Sequence, residues 1–159
     1  MKKIILFVSI SLASGLLFTN LFTSLIDAKS WGCEIPNSIA VAREYFKNVD
    51  PGNFFRLFSP INQALVLIVL VLFWKASPTI RLGLAIALVC YVSAEAMTFK
   101  YFFPRNDILF RDARLTDVEL LKKTWSEWNN MNWVRTGILV IGVFFSCYSL
   151  HKIYSRNQK

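Results

Sequence analysis

Trp125, Trp128, Asn132 and Arg135 recur at i, i+3, i+7 and i+10. On a helix that spacing forms one stripe, so two indoles, an amide and a guanidinium share a face. Arg135 lies inside an apolar run, Trp133–Leu150, and Glu95 is the one acid of the ten in the chain that falls inside such a run. An ionisable residue within a membrane span is expected to face the bundle interior and to mark a functional site. Arg135 is the natural partner of Glu95, because an opposite charge keeps a poorly solvated carboxylate ionised. Glu95, Arg135 and Asn132 are therefore candidate site residues. Asn20, Asn62 and Gln63 fall at the same depth on other spans and are candidate ligand-binding residues, as are Trp125 and Trp128. A second reading of each stays open. Arg135 can snorkel to headgroups, Asn62 and Gln63 can face interfacial water, and the tryptophans can form an aromatic belt.

The elements that must position these groups are apolar. The hydrophobic fraction of 55% exceeds the globular average, and the excess sits in Ile4–Ile26, Pro60–Trp74, Leu82–Phe99 and Trp133–Leu150. A span needs ~20 apolar residues. The expected fold is all-α, a transmembrane four-helix bundle with spans at about 4–26, 58–75, 81–101 and 132–152. The first run exceeds the length of a secretory h-region, so it is expected to be retained, with cleavage near Ala28 as the alternative. Ser9, Ala13 and Asn20 line one stripe of it, small and polar residues suited to close helix approach. Asn53–Ser59 extends the second span as an interfacial turn, and Ser77–Pro78 returns the chain as a hairpin.

The loops carry structure of their own. Pro36 and Asn37 precede SIAVAREYFKNV, whose period fits a short amphipathic helix, and Asp50–Pro51 reads as a helix start. The segment KYFFPRND looks like a Pro-terminated extension of the third helix. Thr116 and Glu119 form a capping-box signature, and an amphipathic extension over 116–131 leads into the last span without interruption. Lys2, Lys3, Lys75, Arg81, Lys152, Arg156 and Lys159 fall in the short segments, without acids. That pattern places both termini in the cytoplasm of an integral membrane protein, expected in a bacterial inner membrane.

Several classes drop out. The net charge of +8 reports topology, so no nucleic-acid partner is expected. There is one histidine, no C-x-x-C and no carboxylate pair within a span, so no metal site and no cofactor are expected. Gly-rich phosphate loops are missing. The expected partners are membrane lipid, a hydrophobic small molecule and, as an open option, further copies of the chain.

The chain resembles the anthrone oxygenase-like small membrane proteins. The resemblance rests on SGLLFTNLF, NFFRLFSPINQALVLIVLVLFW, FKYFFPRNDIL and WSEWNNMNWVRTGIL, in order and in spacing, with Pro104, Asn106, Trp128, Asn132 and Arg135 as the ordered set. It implies a four-span bundle and adds Asn106 to the candidate binding residues. Some fungal members are linked to oxidation of polyketide anthrones to anthraquinones without metal or flavin. That chemistry needs a base, anion-stabilising donors and a dry aromatic pocket. Under the resemblance Glu95 is the base, Arg135 with Asn132 and Asn20 stabilise the anion, and Trp128 is the stacking wall. A non-catalytic lipid or quinone carrier and a structural subunit are the alternatives.

Overall fold

The computed structural model describes residues 1–112 and 117–155. Among these the chain is helical, without strands. Four long helices, α1 (Lys2–Gly32), α3 (Pro51–Leu72), α4 (Pro78–Arg111) and α5 (Val118–Ser155), are each apolar and long enough to cross a membrane. A short helix, α2 (Asn37–Tyr45), follows α1. The protein is an integral membrane protein built as an antiparallel four-helix bundle. Lys3 lies over the Tyr154 ring at 4.3 Å, so both chain ends share one end of the bundle; the opposite end is called distal below.

The helices outrun the apolar stretches that define them. At 1.5 Å per residue, α1, α4 and α5 reach roughly 46, 51 and 57 Å, against a hydrocarbon layer of about 30 Å. The excess forms a distal cap. Its core is Ala28, Trp31, Ile39, Ala42, Phe102, Leu109, Leu121 and Trp128. Polar residues such as Lys29, Arg105 and Glu127 stay helical there because tertiary packing replaces lipid as the apolar partner.

Two expectations need correction. Asn53–Ser59 is not an interfacial turn, because α3 is already helical from Pro51, with Asp50 in extended conformation before it. Pro104 does not end the third helix, which continues to Arg111. A π turn at Thr98–Phe102 precedes it, and widening there separates the proline ring from the carbonyl it would otherwise strike. The Thr116 half of the capping box lies outside the described residues. The cap that is observed uses Asp117, whose carboxylate accepts from the Glu119 and Leu120 amides at 3.0 and 3.1 Å. That satisfies two orphan donors.

Within the membrane, α4 and α5 pack most closely. A methyl group on Gly142 would meet Tyr91 Cε1 at 2.6 Å and Cys90 Cβ at 3.2 Å, and one on Gly83 would strike the Ser149 hydroxyl. Small residues at these crossings let the backbones approach, which is how membrane helices gain packing energy. The Tyr91 and Ser146 hydroxyls share a hydrogen bond of 3.2 Å across the same seam.

Candidate functional site

A buried polar ladder joins α1 to α5. Asn20 Nδ2 donates to Thr136 Oγ1 at 2.6 Å, and Thr136 Oγ1 donates to the Asn132 carbonyl at 2.9 Å. Asn132 Nδ2 donates to Ser24 Oγ at 2.6 Å, and Ser24 returns the bond to the Asn20 carbonyl at 3.1 Å. The ladder fixes the Asn132 amide so that its oxygen faces Arg135, which donates from Nη2 at 2.6 Å. Ser24 and Thr136 did not stand out in the sequence. Their signal was hydroxyls four residues after Asn20 and Asn132, the spacing at which a helix back-bonds.

Arg135 is only 6% exposed. Its Nη1 donates to Thr98 Oγ1 at 3.2 Å. The guanidinium lies 4.0 Å from the Phe102 ring centre and 5.4 Å from that of Phe55. Its Nε has no protein partner. The expected ion pair with Glu95 is not formed. Thr98 and Asn132 take the guanidinium, while the half-buried Glu95, one turn before Thr98, faces the Ser59 hydroxyl of α3 and feels Arg135 only through its charge.

Above Arg135 the distal end holds a cavity of about 730 Å³. Phe55, Phe102 and Trp128 form its apolar walls, and Arg135 with Thr98 its floor. Trp128 is set edge-on to Phe102 at 5.4 Å and to Trp31 at 5.3 Å. Its indole N–H donates to Asn106 Oδ1 at 2.8 Å, which holds the ring plane. The rim is more polar. Arg111 reaches Asp50 at 3.7 Å, and Arg43 donates from Nε and Nη2 to the Leu109 and Ile108 carbonyls at 2.8 and 3.2 Å. Outside the cavity, Arg105 Nε and Nη2 converge on Glu127 Oε2 at 3.1 and 2.7 Å, clamping α4 to α5.

Below Arg135 lies a second, half-open chamber of about 20 Å³, bordered by Ser59, Asn62, Gln63, Tyr91 and Glu95. Arg135, Thr98 and Phe55 border both spaces. The candidate residues thus divide. Trp128, Asn106 and Arg135 gather at the large cavity, and Glu95, Asn62 and Gln63 gather with Arg135 at the small one. Asn20 and Asn132 stand behind Arg135 and line neither. Trp125 turns away from the stripe: its N–H donates to the Ala28 carbonyl at 2.7 Å and its ring fills the space beside Gly32. Phe102 and Ser59 were not singled out in the sequence, because an aromatic and a hydroxyl near a helix end carry no signal of their own. Among the described residues, no three His, Cys, Asp or Glu side chains gather as a ligand set.

Residues 53–145 match the family model described as anthrone oxygenase. No curated protein and no solved structure matches the chain. The matched segment carries the walls and floor named above, Phe55, Thr98, Phe102, Asn106, Trp128 and Arg135, and all of Ser59, Asn62, Gln63 and Glu95. It covers more than half of the sequence, and the chain belongs to the anthrone oxygenase family.

Proposed function

We propose that the distal cavity binds a lipophilic aromatic molecule whose acidic C–H is conjugated to a carbonyl through the rings, as in an anthrone, and that the protein promotes its oxidation by molecular oxygen. The observation that carries this reading is Arg135, a buried cation on an aromatic-walled floor with no ion-pair partner among the described residues. A buried charge is costly until an opposite charge reaches it. An enolate or phenolate oxygen arriving over the floor would supply that charge. Phe55, Phe102 and Trp128 suit a flat ring system, and the volume falls within the roughly 300–1,000 Å³ of small-molecule sites.

The chemistry balances without further reactants. Loss of the C–H proton leaves an anion delocalised onto the carbonyl oxygen, where Arg135 stabilises it. One electron passes to oxygen, superoxide and the ligand radical combine at carbon, and loss of water from the peroxide gives the second carbonyl. In sum, a CH2 group and O2 become C=O and H2O. Donors aimed at a developing oxyanion are worth about 2.7–4 kcal/mol in a dry site.

The charge pattern supports an outward-facing cavity. Lys2, Lys3, Lys75, Arg81 and Lys152 fall at the end carrying the chain termini, in line with cytoplasmic basic segments; Arg156 and Lys159 lie outside the described residues. The test is anthrone oxidation in lipid nanodiscs, followed by anthraquinone absorbance. Wild type should exceed protein-free nanodiscs, and Arg135→Met should lose about 10²-fold or more of that rate. The lipid-facing Val140→Ala should match wild type. A wild-type rate equal to the protein-free rate would reject oxidation and leave the carrier reading.

A further inference from the structure

The carboxylates that line the cavity, Glu44 and Asp50, are paired with Lys47 and Arg111, and Glu95 borders only the small chamber. That chamber is unusual in its chemistry. Asn62 is 1% exposed, and its Oδ1 has no partner. Gln63 Nε2 and Arg135 Nε are likewise buried without partners. Buried polar atoms left unbonded are rare, and each one asks for a missing partner. All three residues border one space of about 20 Å³. A water needs about 10–15 Å³ by this measure and makes about three hydrogen bonds when buried. The chamber therefore has room for one molecule of water, with one acceptor and two donors around it and a carboxylate at its wall.

We propose that this chamber holds a single water, fixed by Asn62, Gln63 and Arg135, through which Glu95 takes a proton from the ligand in the cavity above. The proposal rests on the cavity being the ligand site. Arg135, Thr98 and Phe55 are common walls, so the two spaces meet at the guanidinium. As the water gives one of its protons to the Glu95 carboxylate it lets go of the Arg135 Nε–H, and the lone pair so freed accepts the ligand's C–H proton. The C–H electron pair stays on the ligand as its enolate, held by Arg135. Arg135 thereby serves both steps, orienting the water from one side and receiving the anion on the other. Separating base from cation by one water also keeps Glu95 from being neutralised in a direct ion pair.

The experiment follows proton transfer without oxidation: exchange of the anthrone methylene hydrogens in D2O under nitrogen, with full-length protein in nanodiscs. A parallel titration with a hydroxyanthraquinone reports binding. Wild type should speed exchange above the protein-free rate, and Glu95→Gln should lose about 10²-fold or more of the excess. Asn62→Leu fills the chamber and Asn62→Ala deletes the acceptor that fixes the water, so both should lose most of the excess exchange. Affinity for the hydroxyanthraquinone should stay within about threefold in all three variants, under 1 kcal/mol. Exchange at the wild-type rate in Glu95→Gln, Asn62→Leu or Asn62→Ala overturns the relay. Wild-type binding without faster exchange also overturns it but leaves the ligand site standing, whereas no binding removes both. Asn62→Ala keeps the test open if Asn62→Leu does not fold.

Discussion

Arg135 and Glu95, the cation and the carboxylate of the membrane interior, border one small chamber without touching each other. Thr98, three residues after Glu95 on α4, takes the Arg135 Nη1 at 3.2 Å in the place a carboxylate would have occupied. The arrangement leaves the guanidinium turned towards the distal cavity. A direct ion pair would have neutralised both groups and removed the reason for a ligand to bind.

Arg135 should therefore contribute little to the stability of the ligand-free protein. Arg135→Met removes a buried cation, but it leaves the Asn132 oxygen without its donor. The net loss should stay below about 2 kcal/mol, the cost of one unsatisfied buried acceptor. Thermal unfolding in detergent checks this. A loss of about 3–5 kcal/mol would mark Arg135 as half of a structural ion pair.

Trp128 separates packing from orientation. Trp128→Phe keeps an aromatic wall but deletes the 2.8 Å bond to Asn106, and should cost about 1 kcal/mol. Trp128→Ala also empties the junction with Trp31 and Phe102 and should cost about 3–5 kcal/mol. Paired unfolding curves for the two variants distinguish these effects.

Two glycines on α5 should behave oppositely. Gly142→Ala drives a methyl into Tyr91 and Cys90 and should destabilise by about 1–3 kcal/mol. A methyl on Gly137 meets nothing within 4 Å, so Gly137→Ala should stabilise the helix by up to about 1 kcal/mol. Melting temperatures of the two variants should move in opposite directions.

The polar ladder should act as helix glue. Ser24→Ala and Asn132→Leu both remove the 2.6 Å bond between α1 and α5. A double-mutant cycle should return a coupling of about 0.6 kcal/mol, with about 1.7 as an upper figure for such bonds in membranes. Zero coupling would mean that the ladder does not hold the two helices together.

Much of this was legible in the sequence because lipid imposes long apolar runs. The four spans, the short helix at Asn37 and the tight Ser77–Pro78 turn follow from composition and spacing. The helical continuations over Asp27–Gly32 and beyond Pro104 did not, because charged residues and a proline interrupt the apolar pattern there and the segments stay helical through contacts with distant ones. Depth placed Asn20, Asn62, Glu95 and Arg135 at one level correctly. Azimuth was not readable: whether Glu95 meets Arg135 or Ser59 depends on the rotation of α4 and on the competing hydroxyl of Thr98. The Trp125–Trp128–Arg135 stripe also divided, because Gly32 on α1 leaves a notch that captures Trp125.

The central claim is that the buried cation on the cavity floor receives an anionic oxygen of an aromatic ligand. The most direct measurement is equilibrium binding of a hydroxyanthraquinone, a product-like molecule that does not react further, to wild type and Arg135→Met in nanodiscs. The account predicts saturable wild-type binding, weakened at least about tenfold in the variant, or about 1.4 kcal/mol. Equal affinities for the two proteins would contradict it.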